Sequence, residues 1–300
     1  MLKSIQPSLS KVNELKRFKG RYFLVSCLQK HSKKGEPIWE ICLSDSTATV
    51  KVYCFDQRHF FSSFKANSLV HIEVCAKSHH GKMYLRCVYL EEVAQDKLIN
   101  NLDITSLPSS LCPYPSQLTE VVALFHRITN KHLKQFVSQT LLQPDVATKY
   151  INCPTRVKVK QSETNCLLSQ ALLIAKKLLR NQSLSIEQRE LAIAFSILHE
   201  IGKINKYTPD STLSAIGLRA DIEDLSMDIC AAPLAGLTDS SPQLHYQLRF
   251  LLSFGFVNKR SSFNLDSFYS CLDHLSASWR NKQIQTGSAK TNQAIAVVSL

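Results

Sequence analysis

Between Arg21 and Val93 apolar and polar residues alternate with period two, and clusters of turn-forming residues interrupt the alternation. A two-residue period puts successive side chains on opposite faces, as half-buried strands require. Strands are predicted at Arg21–Gln29, Ile38–Leu43, Ala48–Phe55, Leu69–Ala76 and Met83–Leu90. His31–Pro37 makes a basic turn, Asp45–Ser46 a tight one, and Lys77–Lys82, with Gly81, joins the last two strands. Between the third and fourth strands lies a short amphipathic segment, His59–Lys65, that suits one or two helical turns. From Gln95 onward the period becomes helical, with Pro108, Pro113 and Pro115 marking the change. Ser116–Ile128, Lys131–Leu142, Cys166–Arg180 and Ile186–Ile201 predict helices, and weaker helical patterns run through Leu218–Cys230, Pro242–Phe254 and Leu265–Trp279.

Three strands, a short helix and two strands are the order of an OB-fold, a five-stranded Greek-key barrel; a split sandwich is the alternative. The fold class expected is therefore α+β multidomain, with an N-terminal five-stranded OB-type barrel followed by an all-α domain. The divisions are 1–95 for the barrel, 96–150 for a helical connector, 151–282 for the main helical domain and 283–300 for a loosely held tail.

Composition narrows the class. The 300 residues are 44% hydrophobic and 20% charged, an ordinary folded composition. No apolar run is long enough to span a bilayer, and Met1–Lys19 has no continuous apolar stretch of the kind a signal peptide needs. The ten cysteines are scattered, with no C-x-x-C pair, and several lie in apolar runs. They read as buried thiols of a reducing compartment, so a cytoplasmic location without membrane attachment is expected.

A formal charge of +12 favours a polyanionic partner. Basic residues gather around the barrel turns: Arg21 before the first strand, Lys30, Lys33 and Lys34 in the first loop, Lys77 and Lys82 in the last. Single-stranded nucleic acid needs cations along its backbone and aromatic faces for its bases. Trp39, Tyr53 and Phe55 lie on strands two and three, with Lys51 between the latter pair. Tyr53 and Phe55 share a face, which is either core or platform. The nucleic-acid-binding candidates are Arg21, Lys30, Lys33, Lys34, Trp39, Lys51, Tyr53, Lys77 and Lys82, and the partner expected is single-stranded RNA or DNA.

The helical half contains the string Ile197-Leu198-His199-Glu200-Ile201-Gly202-Lys203-Ile204 after an apolar helix. It resembles the LLHDIGKI signature of HD-domain phosphohydrolases, whose His and Asp ligands hold divalent metal. An OB-fold followed by an HD domain resembles the YhaM-type 3′-to-5′ exoribonucleases, over about Phe18 to Trp279. Pro154–Gln170 aligns without a gap with that family's ligand-bearing stretch, and Leu167 and Leu168 match its paired leucines. The resemblance implies metal-dependent phosphodiesterase chemistry, with His199, Glu200 and Asp273 as metal ligands and Lys203 as the candidate catalytic side chain.

The departures are equally specific. Lys160-Gln161 stand where the family has a His pair, Gln170 where it has a ligand His, and Glu200 where it has Asp. Ile216–Ala220 and Leu252–Gly255 lack the family's downstream histidines. An amide oxygen is a far weaker ligand than imidazole for a transition metal. Two readings follow. In the first, the barrel binds single strands, the metal site is lost or impaired, and the HD-like helices form a scaffold, a homo-oligomer contact or a partner surface. In the second, an active exonuclease uses the substituted ligand set. The cofactor expectation is none, or one weakly bound Mn or Mg ion.

Overall fold

Alternating residues at the N-terminal end pair into five strands in the computed structural model, which describes residues 6–32, 35–56, 64–79, 81–93, 103–156, 165–254 and 264–275. They are β1 (Arg17–His31), β2 (Pro37–Ser44), β3 (Thr49–Cys54), β4 (Ser68–His79) and β5 (Lys82–Glu92). The sheet closes into a barrel in the order β1-β2-β3-β5-β4. All pairings are antiparallel except β3 with β5, where Val52 faces Leu85 and Tyr53 faces Arg86. The expected five-stranded barrel is present. The helical turns expected at His59–Lys65 fall mostly on residues outside those described.

Two boundaries differ from the sequence reading. β1 begins at Arg17, because Arg17–Leu24 pairs with Ser68–Cys75 of β4. The β4–β5 connection is a tight hairpin rather than a six-residue loop. Lys77 pairs with Tyr84 and His79 with Lys82, and Gly81 turns the chain at φ +75°. Tyr22, Leu24, Ile41, Leu43, Val52, Val70, Ile72 and Val74 fill the barrel.

Helices follow: α1 (Pro115–His126), α2 (Lys131–Leu141), α3 (Val146–Asn152), α4 (Leu167–Leu178), α5 (Ile186–Leu198), α6 (Lys203–Lys206), α7 (Ile222–Ala235), α8 (Leu237–Ser240) and α9 (Pro242–Ser253). Residues 265–275 are also helical. One apolar cluster runs from Ile104 to Leu275, so α1–α3 pack into the core of the later helices. Phe23 of β1 belongs to that cluster too and carries it onto the barrel wall.

Polar contacts lock the barrel to the segment entering the helices. Ser46 N–H donates to Thr105 O at 2.7 Å, and Ser109 N–H donates to Asp45 O at 2.9 Å. Asp45, 2% exposed, holds the corner together. Its Oδ2 accepts from Leu9 N at 2.7 Å. Its Oδ1 accepts from Thr47 N, Thr47 Oγ1 and Ala48 N at 2.7–2.9 Å.

All ten cysteines are free thiols, with Cys54, Cys87, Cys112, Cys153, Cys166 and Cys230 buried. Among the described residues no helix is long and apolar enough to cross a membrane.

Candidate functional site

Barrel closure decides which way each strand row points. On β3, Val50, Val52 and Cys54 face the core, so Lys51, Tyr53 and Phe55 face outward. On β2 the opposite parity is buried: Ile41 and Leu43 are core and Trp39 packs partly buried against it. Trp39 is therefore an inward residue at the barrel end, a correction to its assignment as a stacking platform.

The outward rows of neighbouring strands complete a surface. Glu40 on β2 lies opposite Tyr53, and Tyr53 lies beside Arg86 on β5. Arg86 Cζ sits 5.7 Å from the Phe55 ring centroid. The Phe55 and Tyr84 rings meet edge-on at 6.1 Å. Lys82, Tyr84 and Arg86 share one face of β5, and Lys77 pairs directly with Tyr84. Lys30 and Lys51 both reach Glu40, at 2.7 and 3.2 Å. One carboxylate thus holds two ammonium groups, leaving a net positive charge beside Tyr53. Glu40 is held below the usual carboxylate range, first by its hydrogen bond from Lys30.

Of the candidates, Lys30, Lys51, Tyr53, Lys77 and Lys82 belong to this outer wall. Lys77 and Lys82 lie on the hairpin strands rather than in a loop. Arg21 is elsewhere: it pairs with His71 on the β1–β4 seam, and its carbonyl accepts from Ser106 Oγ. Lys33 and Lys34 lie outside the described residues. Tyr84 and Arg86 were missed. Their signal was available, since both share the period-two row of Lys82.

The helical candidates sit at the C-terminal end of α5. His199 Nδ1 lies 3.2 Å from Ser196 O. A carbonyl only accepts, so Nδ1 is the donor in this contact, and Nε2 lies 3.9 Å from Glu200 Oε2. The His199 ring also packs on Phe195 at 4.9 Å. Lys203 Nζ approaches the same Glu200 oxygen at 2.7 Å, at an angle that leaves the oxygen without an aligned hydrogen bond. Nζ also donates to Gln170 Oε1 at 3.3 Å. The Glu200 and Lys203 side chains are both under 10% exposed.

Asp273 does not join them. It is exposed, and its Oδ1 accepts from Gln188 Nε2 at 3.2 Å, at the N-terminal end of α5. At 1.5 Å per residue, Gln188 and His199 stand about 16 Å apart along the helix. Among the described residues no group of three or more His, Cys, Asp or Glu side chains is placed to hold a metal ion. The donor set does not fit a divalent cation: one carboxylate, already paired with an ammonium, and one imidazole. Lys203 is tied into this pair and to Gln170, which gives it a structural partner set.

Gly202 has a packing role. It is helical at φ −56°, and a Cβ there would meet Ile222 O at 2.2 Å and Ser226 N at 2.7 Å. The glycine lets α7 approach the end of α5, with Ser226 Oγ accepting the Gly202 N–H at 2.9 Å. A cleft of about 530 Å³ opens nearby, lined by Lys149, Cys153, Pro154, Ile204 and Tyr207 among others.

Burial pushes His199 below its ordinary value of 6.5, with Lys203 adding to the shift and Glu200 opposing it. The unfolded chain therefore takes up a proton that the folded chain refuses. The stability from keeping His199 neutral is complete above pH 6.5 and is lost as pH falls toward the depressed folded value. Urea midpoints measured at about pH 7.5 and pH 5.5 should differ more for wild type than for His199→Gln. Equal differences would place the acid sensitivity elsewhere.

No family profile and no curated protein matches the chain. Among solved structures, it is similar to an aspartyl-tRNA synthetase from Leishmania major Friedlin, at 14% identity and a TM-score of 0.25. The match covers 59% of this chain and 42% of that one. A likeness of that depth establishes no shared function.

Proposed function

We propose that this chain is a single-stranded nucleic-acid-binding protein whose barrel wall is the binding surface. In this reading its helical half is a relative of the 3′-to-5′ exoribonucleases it resembles, without their metal chemistry. The observation that carries the proposal is the outward cluster of Tyr53, Phe55, Tyr84 and Arg86, with Lys51, Lys77 and Lys82 around it. Phe55, 42% exposed, presents ring surface to solvent beside a guanidinium, the pairing that bases and phosphates require together. Such a wall recognises any base, since every base has a π-face. Sequence-tolerant binding is the consequence.

The reading of the helical half rests on its donor set. Lys203 supplies the positive charge next to Glu200, and Gln170 offers an amide to that ammonium. Phosphoryl transfer by a bound metal needs a complete, rigid ligand shell.

Fluorescence anisotropy with labelled oligouridine tests the binding surface. Phe55→Ala should weaken affinity about tenfold, the value of roughly one lost stacking contact. Arg86→Glu should weaken it further and flatten the fall of affinity with salt. Lys176→Glu, on α4, serves as the control and should change little. Unaltered binding in both barrel variants would sink the assignment. Incubation of the same RNA with Mn²⁺ tests the helical half: cleavage by wild type but not by His199→Ala would establish the exonuclease reading instead.

A further inference from the structure

Three helices begin around one small cavity of about 100 Å³, whose lining shares no residue with the barrel wall or with the His199–Lys203 cluster. Asn130 precedes α2, Glu187 and Glu190 lie on the first turns of α5, and Ser241 and Gln243 lie at the start of α9; all line it. Each helix start carries roughly half a positive charge on its free N–H groups.

Two of these starts are satisfied internally. Glu190, buried, accepts from Thr129 N at 2.7 Å, Thr129 Oγ1 at 2.6 Å and Asn130 N at 3.1 Å, next to Leu133 N–H on Asn130 Oδ1. α5 has a full capping box between Ser185 and Gln188. α9 is different. Ser241 makes no capping bond, and among the described residues the N–H groups of Gln243 and Leu244 find no acceptor.

A second observation points to an occupant. Gln247, one turn further along α9, is 4% exposed, lines the cavity and makes no side-chain hydrogen bond among the described residues. Its amide is open only to this cavity, where a bound ligand or water would be its partner. The charges around it specify the ligand. A simple anion would suit the open start of α9 but would lie beside two carboxylates with no basic side chain lining the cavity. A simple cation would suit Glu187, which forms no ion pair among the described residues, but would face the positive end of α9. A small molecule carrying both charges answers both.

We propose that this cavity binds a small zwitterion of the α-amino-acid type. Its carboxylate lies on the open N-terminus of α9 and the Gln247 amide, and its ammonium on Glu187 and the remaining Oε2 lone pair of Glu190. A space of this volume is filled by roughly three waters, which limits the buried part of the ligand to glycine or alanine size.

Isothermal titration calorimetry of the full chain with glycine, and separately with acetate and methylammonium, tests the proposal. Glycine should bind saturably, while each half-ligand at the same concentration should bind at least tenfold more weakly. Gln247→Leu should abolish glycine binding. Glu187→Gln, at an exposed position that leaves the fold intact, should weaken it about tenfold and decides the matter if the first variant does not fold. Saturable binding of acetate or methylammonium as strong as glycine would overturn the zwitterion. Absence of glycine heat, or heat unchanged in Glu187→Gln, would overturn the site.

Discussion

Asp45→Ala is expected to destabilise the barrel by about 3–5 kcal/mol, a large share of the roughly 5–15 kcal/mol that holds a domain together. The carboxylate has no exposed edge to lose. It accepts from three backbone N–H groups and one hydroxyl, drawn from the N-terminal segment and the β2–β3 turn. Alanine leaves those donors facing a void, and unmatched buried donors carry most of the cost. The loss should reach further than the turn, because Asp45 O also receives Ser109 N–H from the segment leading into the helices. A urea titration should show the midpoint fall by about 1–2 M. Asp45→Asn should lie between wild type and alanine. Its amide oxygen can serve the Thr47–Ala48 turn, but its –NH₂ meets Leu9 N–H, donor against donor. A midpoint unchanged in Asp45→Ala would mean that water or a shifted turn satisfies the donors.

The second large effect concerns Glu200 and Lys203. Glu200→Ala should cost about 3–5 kcal/mol, because it strands an ammonium that is 6% exposed. Lys203→Met should cost a comparable amount by stranding the carboxylate. The double variant Glu200→Leu/Lys203→Met should return to within about 1 kcal/mol of wild type, since apolar side chains of similar size commonly replace a buried pair without loss. Oligouridine affinity should be unchanged in all three folded variants. Losses that add in the double variant would show that the two side chains act separately, and loss of RNA binding would tie this pair to the working surface.

Much of the barrel was legible because strand alternation is a local property. Val50, Val52 and Cys54 against Lys51, Tyr53 and Phe55 could be read straight off the chain. Helices α4 and α5 were legible for the same reason, through their apolar spacing. Strand ends were less so. Arg17 and Lys19 look like a basic lead-in until β4 is known to pair with them. The hydrogen bonds that extend β1 come from a partner about fifty residues away, and no local pattern reports such a partner.

The candidate sites divide along the same line. Residue types set what chemistry was available: the cations, the aromatic rings and the His199-Glu200 pair were visible at once. Orientation was not. Period two establishes that Tyr53 and Phe55 share a face but is symmetric between inside and outside, and only closure of the barrel broke that symmetry. The same closure turned Trp39 inward. Asp273 shows the parallel limit for helices. The last helix resembles by composition the ligand-bearing helix of HD-domain proteins, yet the packing of residues 265–275 brought Asp273 to Gln188, at the opposite end of α5 from His199. The sequence by itself determined the five-strand-then-helical order, the excess positive charge and the residue types around His199, because these are properties of residues and their near neighbours. The tertiary structure alone decided the outward aromatic wall, the ammonium seated on Glu200 and the open start of α9, because each depends on where distant segments meet.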